Sequence, residues 1–187
     1  MPIYLILTAI IALTQLSGCV SVRRELGSAL IGDETEFQLG QQVAAEIDST
    51  QKKLADAAIQ LYINQVAAPL VQRALKDRPG VEYRFTVLDD PRQINAFAAP
   101  GGFLYVYSGL LIAAEDKAEL AGVLAHEIGH IVGRHSANQL AAQFGIQLLS
   151  AIALGEEASQ GATIITQIAA QLGSARFSRD DEREADK

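Results

Sequence analysis

The chain has 187 residues, 49% of them hydrophobic and 20% charged, which suits one domain with a substantial core. Its formal net charge is −7 and no basic cluster stands out, so no nucleic-acid partner is expected. The single cysteine, Cys19, rules out a disulfide within the chain.

Met1 to Leu16 is almost wholly apolar but shorter than the ~20 residues a spanning helix needs. Small residues follow it, and residues 1–18 read as a secretory signal peptide. The ending Leu16-Ser17-Gly18-Cys19 resembles a bacterial lipobox, in which the cysteine is lipidated and becomes the new amino terminus. The expectation is a lipidated tether over 19–35 and attachment to membrane through Cys19. The protein would be a lipoprotein facing the periplasm, with the outer membrane as its expected site. The plainer alternative is a buried structural cysteine.

From about Glu36 to Lys76 the pattern is helical, with Ile59, Tyr62, Ile63, Val66 and Leu70 on one face. Pro69 is a candidate kink, and Arg78-Pro79-Gly80 ends the stretch. Val81, Tyr83, Phe85 and Val87 then alternate with polar residues, as in a half-buried strand. After the turn at Asp89-Asp90-Pro91 comes Asn95-Ala96-Phe97-Ala98-Ala99-Pro100-Gly101-Gly102, and Phe103 to Ser108 reads as another strand. A strong helix is expected from Glu115 or Asp116 to about Gly133. Residues 137–172 read as two helices with a polar break at Gly155-Glu156-Glu157, and as a candidate lid. A charged final helix follows Ser174.

His126-Glu127-Ile128-Gly129-His130 places two imidazoles one helical turn apart, where both reach one metal ion. Glu127 lies about 100° around the helix from His126, so it can address an attacking water instead of the metal. That arrangement suits metal-assisted peptide hydrolysis. Such a motif arises by chance in very roughly one chain in a few hundred. Two of the chain's three histidines occupy it, which weighs against two incidental helix residues.

A catalytic zinc needs a third protein ligand. His135 follows His130 by five residues, one short of the metzincin spacing, so it reads as a neighbour of the ligands or a solvent-exposed residue. Glu182 and Asp186 are four apart, so one can bind metal while the other orients a ligating histidine. Glu184 could also serve, and a charge run of this kind often forms only a solvated face. Spacing does not choose among them.

Three segments in this order resemble one family: Asn95 to Gly102, the HExxH helix preceded by Glu119-Leu-Ala-Gly-Val-Leu-Ala, and Ser178-Arg-Asp-Asp-Glu182-Arg-Glu-Ala-Asp186. It is the zinc peptidase group containing the HtpX heat-shock protease, the CAAX prenyl proteases and the BepA-type periplasmic proteases. The resemblance covers most of residues 36–187. It implies an α+β gluzincin-type metallopeptidase domain, mainly helical, with a small β-sheet beside the active-site helix. It also implies one Zn2+ per chain on His126, His130 and Glu182, with Asp186 supporting a ligand and Glu127 as general base and then general acid. Relatives of that group continue past the Glu-x-x-Ala-Asp segment, so the domain is expected to be incomplete at its carboxyl end. A strand at Phe103 to Ser108 is expected to hold substrate backbone along an open edge, with Asn95, Phe103 and Tyr105 as substrate-contacting residues. The alternative for Tyr105 is a core position.

The expected activity is zinc-dependent endopeptidase action on unfolded or misassembled cell-envelope proteins. The rival is a chaperone-like lipoprotein assembly factor that keeps the fold and cleaves little.

Overall fold

The sheet is small and buried on both faces, and this two-sidedness organises the molecule. The structure is a computed structural model that describes residues 31–145, 147 and 159–187. The signal-peptide and lipobox readings and the polar break at 155–157 lie outside the described residues. Strands β1 (Arg84–Leu88), β2 (Ala96–Ala99) and β3 (Phe103–Tyr107) form one sheet in the order β1-β3-β2. β1 runs parallel to β3, and β2 runs antiparallel to it with Phe97 opposite Tyr105 and Ala98 opposite Leu104.

Successive side chains alternate faces. Ala96, Ala98, Leu104 and Val106 enter one core with helices α2 (Ala57–Asp77) and α4 (Lys117–Val132). Phe97, Ala99 and Tyr105 enter a second core with α1 (Asp33–Thr50), α5 (His135–Phe144) and α6 (Ser159–Leu172). A short α3 (Ser108–Ala113) links β3 to α4, and α7 (Arg179–Ala185) follows α6. The α+β expectation holds.

The helical stretch expected over 36–76 is two helices. Residues between them leave the helix to pair with β1, where Lys53 bridges Leu88 and the Leu54 N–H donates to the Val87 carbonyl at 2.9 Å. Asp56 then caps α2 by accepting from the Ala58 and Ile59 N–H groups. Pro69 sits within α2. Ile63 and Val66 are buried, but Tyr62 is 42% exposed, so it leaves the expected apolar face.

α4 begins where expected, with Asp116 capping the Ala118 and Glu119 N–H groups. Leu120, Leu124, Ile128 and Ile131 form its buried stripe. That stripe fixes the helix between α2 and β2 and leaves the His126–His130 face turned toward α7. The described parts of 137–172 are core and not a lid. Leu140, Ala141, Ile165, Ile168 and Leu172 pack with α1 and the sheet. Among the described residues no helix is long and apolar enough to cross a membrane.

Candidate metal centre

All three histidines of the chain converge on one point, His135 as a neighbour of the two expected ligands. His126 and His130 are one turn apart on α4, with their Nε2 atoms 3.1 Å from each other. α7 approaches this face because residue 129 is glycine. A Cβ there would lie 2.3 Å from the Ala185 carbonyl oxygen, so any side chain would push α7 away. α7 is only seven residues long but is held by a capping box between Ser178 and Asp181, with three acids in its first turn. It delivers Glu182, whose Oε2 is 3.2 Å from His126 Nε2 and 3.9 Å from His130 Nε2.

These three atoms fit a cation. On a tetrahedron with bonds of about 2.0–2.1 Å, ligand atoms stand roughly 3.4 Å apart, and the spacings here scatter about that value. Lone pairs point the same way. His126 Nδ1 lies 2.8 Å from Asp186 Oδ1, a carboxylate that only accepts, so Nδ1 carries the proton and Nε2 the lone pair. His130 is buried under Phe177, whose ring stacks on it at 4.1 Å. Burial pushes its pKa down to about 4, helped by the neighbouring His135 and His126, which keeps it neutral. Two imidazole lone pairs and a carboxylate oxygen facing one another repel unless a cation lies between them. His126, His130 and Glu182 are thus brought together as the sequence suggested, with Asp186 against His126.

Glu127 lies on the side of α4 that faces β2, near the Ala98 backbone. Burial pushes its pKa up to about 7, opposed by His126 and the Ala98 N–H and reinforced by Glu182. A carboxyl held near neutrality both takes and returns a proton. Glu184 points elsewhere, with Oε2 at 3.8 Å from His135 Nε2.

Other expectations need correction. β3 is the central strand, with β1 and β2 occupying both its edges, so it offers no open edge to substrate. Tyr105 is 1% exposed and stacks on Phe97 at 5.1 Å on the face turned away from α4. Phe103 stacks on Phe37 at 6.1 Å, with the Arg84 guanidinium over its ring. Both are packing residues. Asn95 donates from Nδ2 to the Gly173 carbonyl at 2.8 Å, tying the start of β2 to the end of α6.

The edge beside α4 belongs to β2, which the sequence did not disclose as a strand. The Ala98 carbonyl turns away from β3 and accepts from the Ser136 hydroxyl at 2.9 Å. Phe177 and Ser136 also escaped the sequence reading, since neither residue type signals such a place. His135 did carry a signal, its spacing, but it proves buried and not solvent-exposed.

The comparisons with known proteins agree with this geometry. The Yersinia pestis beta-barrel assembly-enhancing protease is 30% identical over 168 residues, which is 85% of this chain and 34% of that protein. The Escherichia coli metalloprotease YcaL is 32% identical over 159 residues, 81% of this chain and 55% of its own. Baker's yeast mitochondrial metalloendopeptidase OMA1 is 32% identical over 115 residues, 59% of this chain and 33% of its own. The chain thus spans about a third to a half of the length of these relatives. A model of peptidase family M48 matches residues 53–187, a stretch that holds the whole of α4 and runs on through Glu182 and Asp186. By that match the chain belongs to peptidase family M48.

Proposed function

We propose that the protein is a zinc-dependent endopeptidase acting on unfolded or misassembled proteins of the cell envelope. The observation that carries this reading is the convergence of His126 Nε2, His130 Nε2 and Glu182 Oε2 beside the near-neutral Glu127 carboxyl. In this reading His126, His130 and Glu182 bind one zinc per chain, and Asp186 orients His126. When bound, the zinc supplies Lewis acidity that polarises the scissile carbonyl and lowers the pKa of water.

Glu127 takes a proton from the attacking water as the new C–O bond forms at the scissile carbonyl carbon. It returns that proton to the amide nitrogen as the C–N bond breaks, leaving a carboxylic acid and an amine, between which the remaining water proton then passes. The backbone of Ala98 lies beside Glu127 and counters the burial that raises its pKa. The two-residue alternation of a ladder directs the Ala96 N–H and carbonyl the same way as those of Ala98, away from β3. An extended substrate pairs with the Ala96 main chain, the Ala98 carbonyl being taken by Ser136, with Asn95 at the strand's entrance, and such pairing gives affinity with little sequence preference.

The envelope substrate class is supported by relatives named for beta-barrel assembly. Attachment through a lipidated Cys19 and a periplasm-facing site at the outer membrane are part of the same reading, supported by the Leu-Ser-Gly-Cys motif. The mass of the Cys19 peptide from envelope preparations checks the anchor.

The test is degradation of an unfolded outer-membrane protein by the zinc-loaded parent and by Glu127→Gln. Cleavage by the parent, reduced at least about a thousandfold in the variant with zinc retained, supports the reading. Equal protection or handling of that client by both proteins, without cleavage, contradicts it and favours an assembly factor.

A further inference from the structure

His135 has no place in the chemistry above, yet its side chain is wholly buried against a ligand. We propose that His135 is a positioning residue for the metal, accepting the Nδ1–H of His130 so that the His130 Nε2 lone pair stays aimed at the zinc position. The inference rests on the zinc reading and assigns a task to a residue that neither binds the metal nor touches substrate.

The two Nδ1 atoms are 2.8 Å apart, and the rings meet edge-on at 75°. One of the two nitrogens must carry the proton. If His130 binds through Nε2, its proton is on Nδ1, so His135 accepts at Nδ1 and carries its own proton on Nε2. The surroundings agree: His135 Nε2 faces Asp181 Oδ1 at 3.7 Å and Glu184 Oε2 at 3.8 Å, two carboxylates on the helix that supplies Glu182. A single direction of donation thus runs from His130 to His135 and on toward α7, and the opposite tautomers would turn the His135 Nε2 lone pair toward two carboxylates.

The backbone is shaped to put the ring there. Gly133 leaves the space it fills, because a Cβ at that position would lie 2.3 Å from His135 Nε2. Arg134 adopts a left-handed conformation at φ 58°, the sole non-glycine residue to do so among the described residues. It is held by Glu36, whose Oε2 accepts from Arg134 Nε at 2.7 Å, and by donation to the Ile31 carbonyl. Strain of this kind persists only where surrounding structure over-determines it. Its consequence is that α5 starts with His135 folded back beneath His130.

Zinc affinity of the full chain, measured by competition with a chromophoric chelator, tests the proposal. His135→Leu keeps the bulk and removes the acceptor, while His135→Asn restores an oxygen acceptor near the Nδ1 position. The expected result is a tenfold to hundredfold weakening for Leu and a change of only a few-fold for Asn, with circular dichroism unchanged in both. Long-range 1H–15N correlation of the zinc-loaded parent is expected to show His130 protonated on Nδ1 and His135 on Nε2, a readout independent of either variant's folding. Parent-like affinity in His135→Leu overturns the proposal, as does equal weakening in both variants, which would mark a packing role. Protonation of His135 on Nδ1 also overturns it. A parent that binds no zinc overturns the zinc reading itself.

Discussion

His126 and His130 occupy neighbouring turns of one helix and are held in opposite ways. His130 is 2% exposed, covered by Phe177 and in contact with the buried His135 imidazole. His126 is about one-third exposed and is braced by Asp186, a carboxylate near the chain's end that is itself 69% exposed. One half of the centre is therefore built into the packed scaffold. The other half arrives on α7, a short helix seated on α4 at Gly129. One candidate ligand, His130, is thus set by core packing, whereas Glu182 and the support of His126 depend on how α7 seats on α4.

Changes in the packing and ionic supports of the scaffold should act on folding, whereas changes in the α7 half, and at His135 where the scaffold touches a ligand, should act on metal affinity. The largest effect is expected at Glu36, which is 1% exposed and accepts from Arg78, Arg134 and the Gly101 N–H. Through Arg78 it also reaches the Ile131 carbonyl at the end of α4. Glu36→Ala removes the buried carboxylate that Arg78 and Arg134 share, leaving them the exposed Asp33 and backbone carbonyls, and is expected to lower unfolding free energy by about 3–5 kcal/mol in urea titrations. A loss below about 1 kcal/mol would break the claim that this cluster anchors the scaffold.

Gly129→Ala sharpens the comparison, because it improves helix propensity by about 1 kcal/mol while placing a methyl against α7. Stability is expected to hold or rise, and zinc affinity to fall by ~100-fold in chelator competition. Asp186→Ala removes the partner of His126 Nδ1 and is expected to weaken zinc by about tenfold without shifting the melting temperature. The smallest effect is at Ser178, the cap of α7. Ser178→Ala costs that helix about 1 kcal/mol, which appears as a loss of zinc affinity of roughly fivefold or less. Global destabilisation by either of the last two changes would merge the two halves.

How far this was legible in sequence follows the same division. His126, Glu127 and His130 stand at fixed spacing on one helix, so local geometry announces them. Glu182 needed the family resemblance, because the acid run around it offers several carboxylates and only tertiary packing selects one. The scaffold's supports were opaque. Glu36 looks like a helix-start acid, yet it is among the most buried side chains. β2 reads as small residues, and its status as the edge beside α4 depends on which strand pairs with which. The break between α1 and α2 was hidden because residues 52–54 leave the helix to meet β1 in a non-local pairing.

The measurement that bears most directly on the central claim is zinc stoichiometry and affinity of the parent chain beside Glu182→Ala. One zinc per parent chain is expected, with a loss of affinity of at least about a hundredfold when the α7 carboxylate is removed and the fold intact by circular dichroism. A parent that holds no zinc, or a variant that holds it as tightly as the parent, would contradict the account.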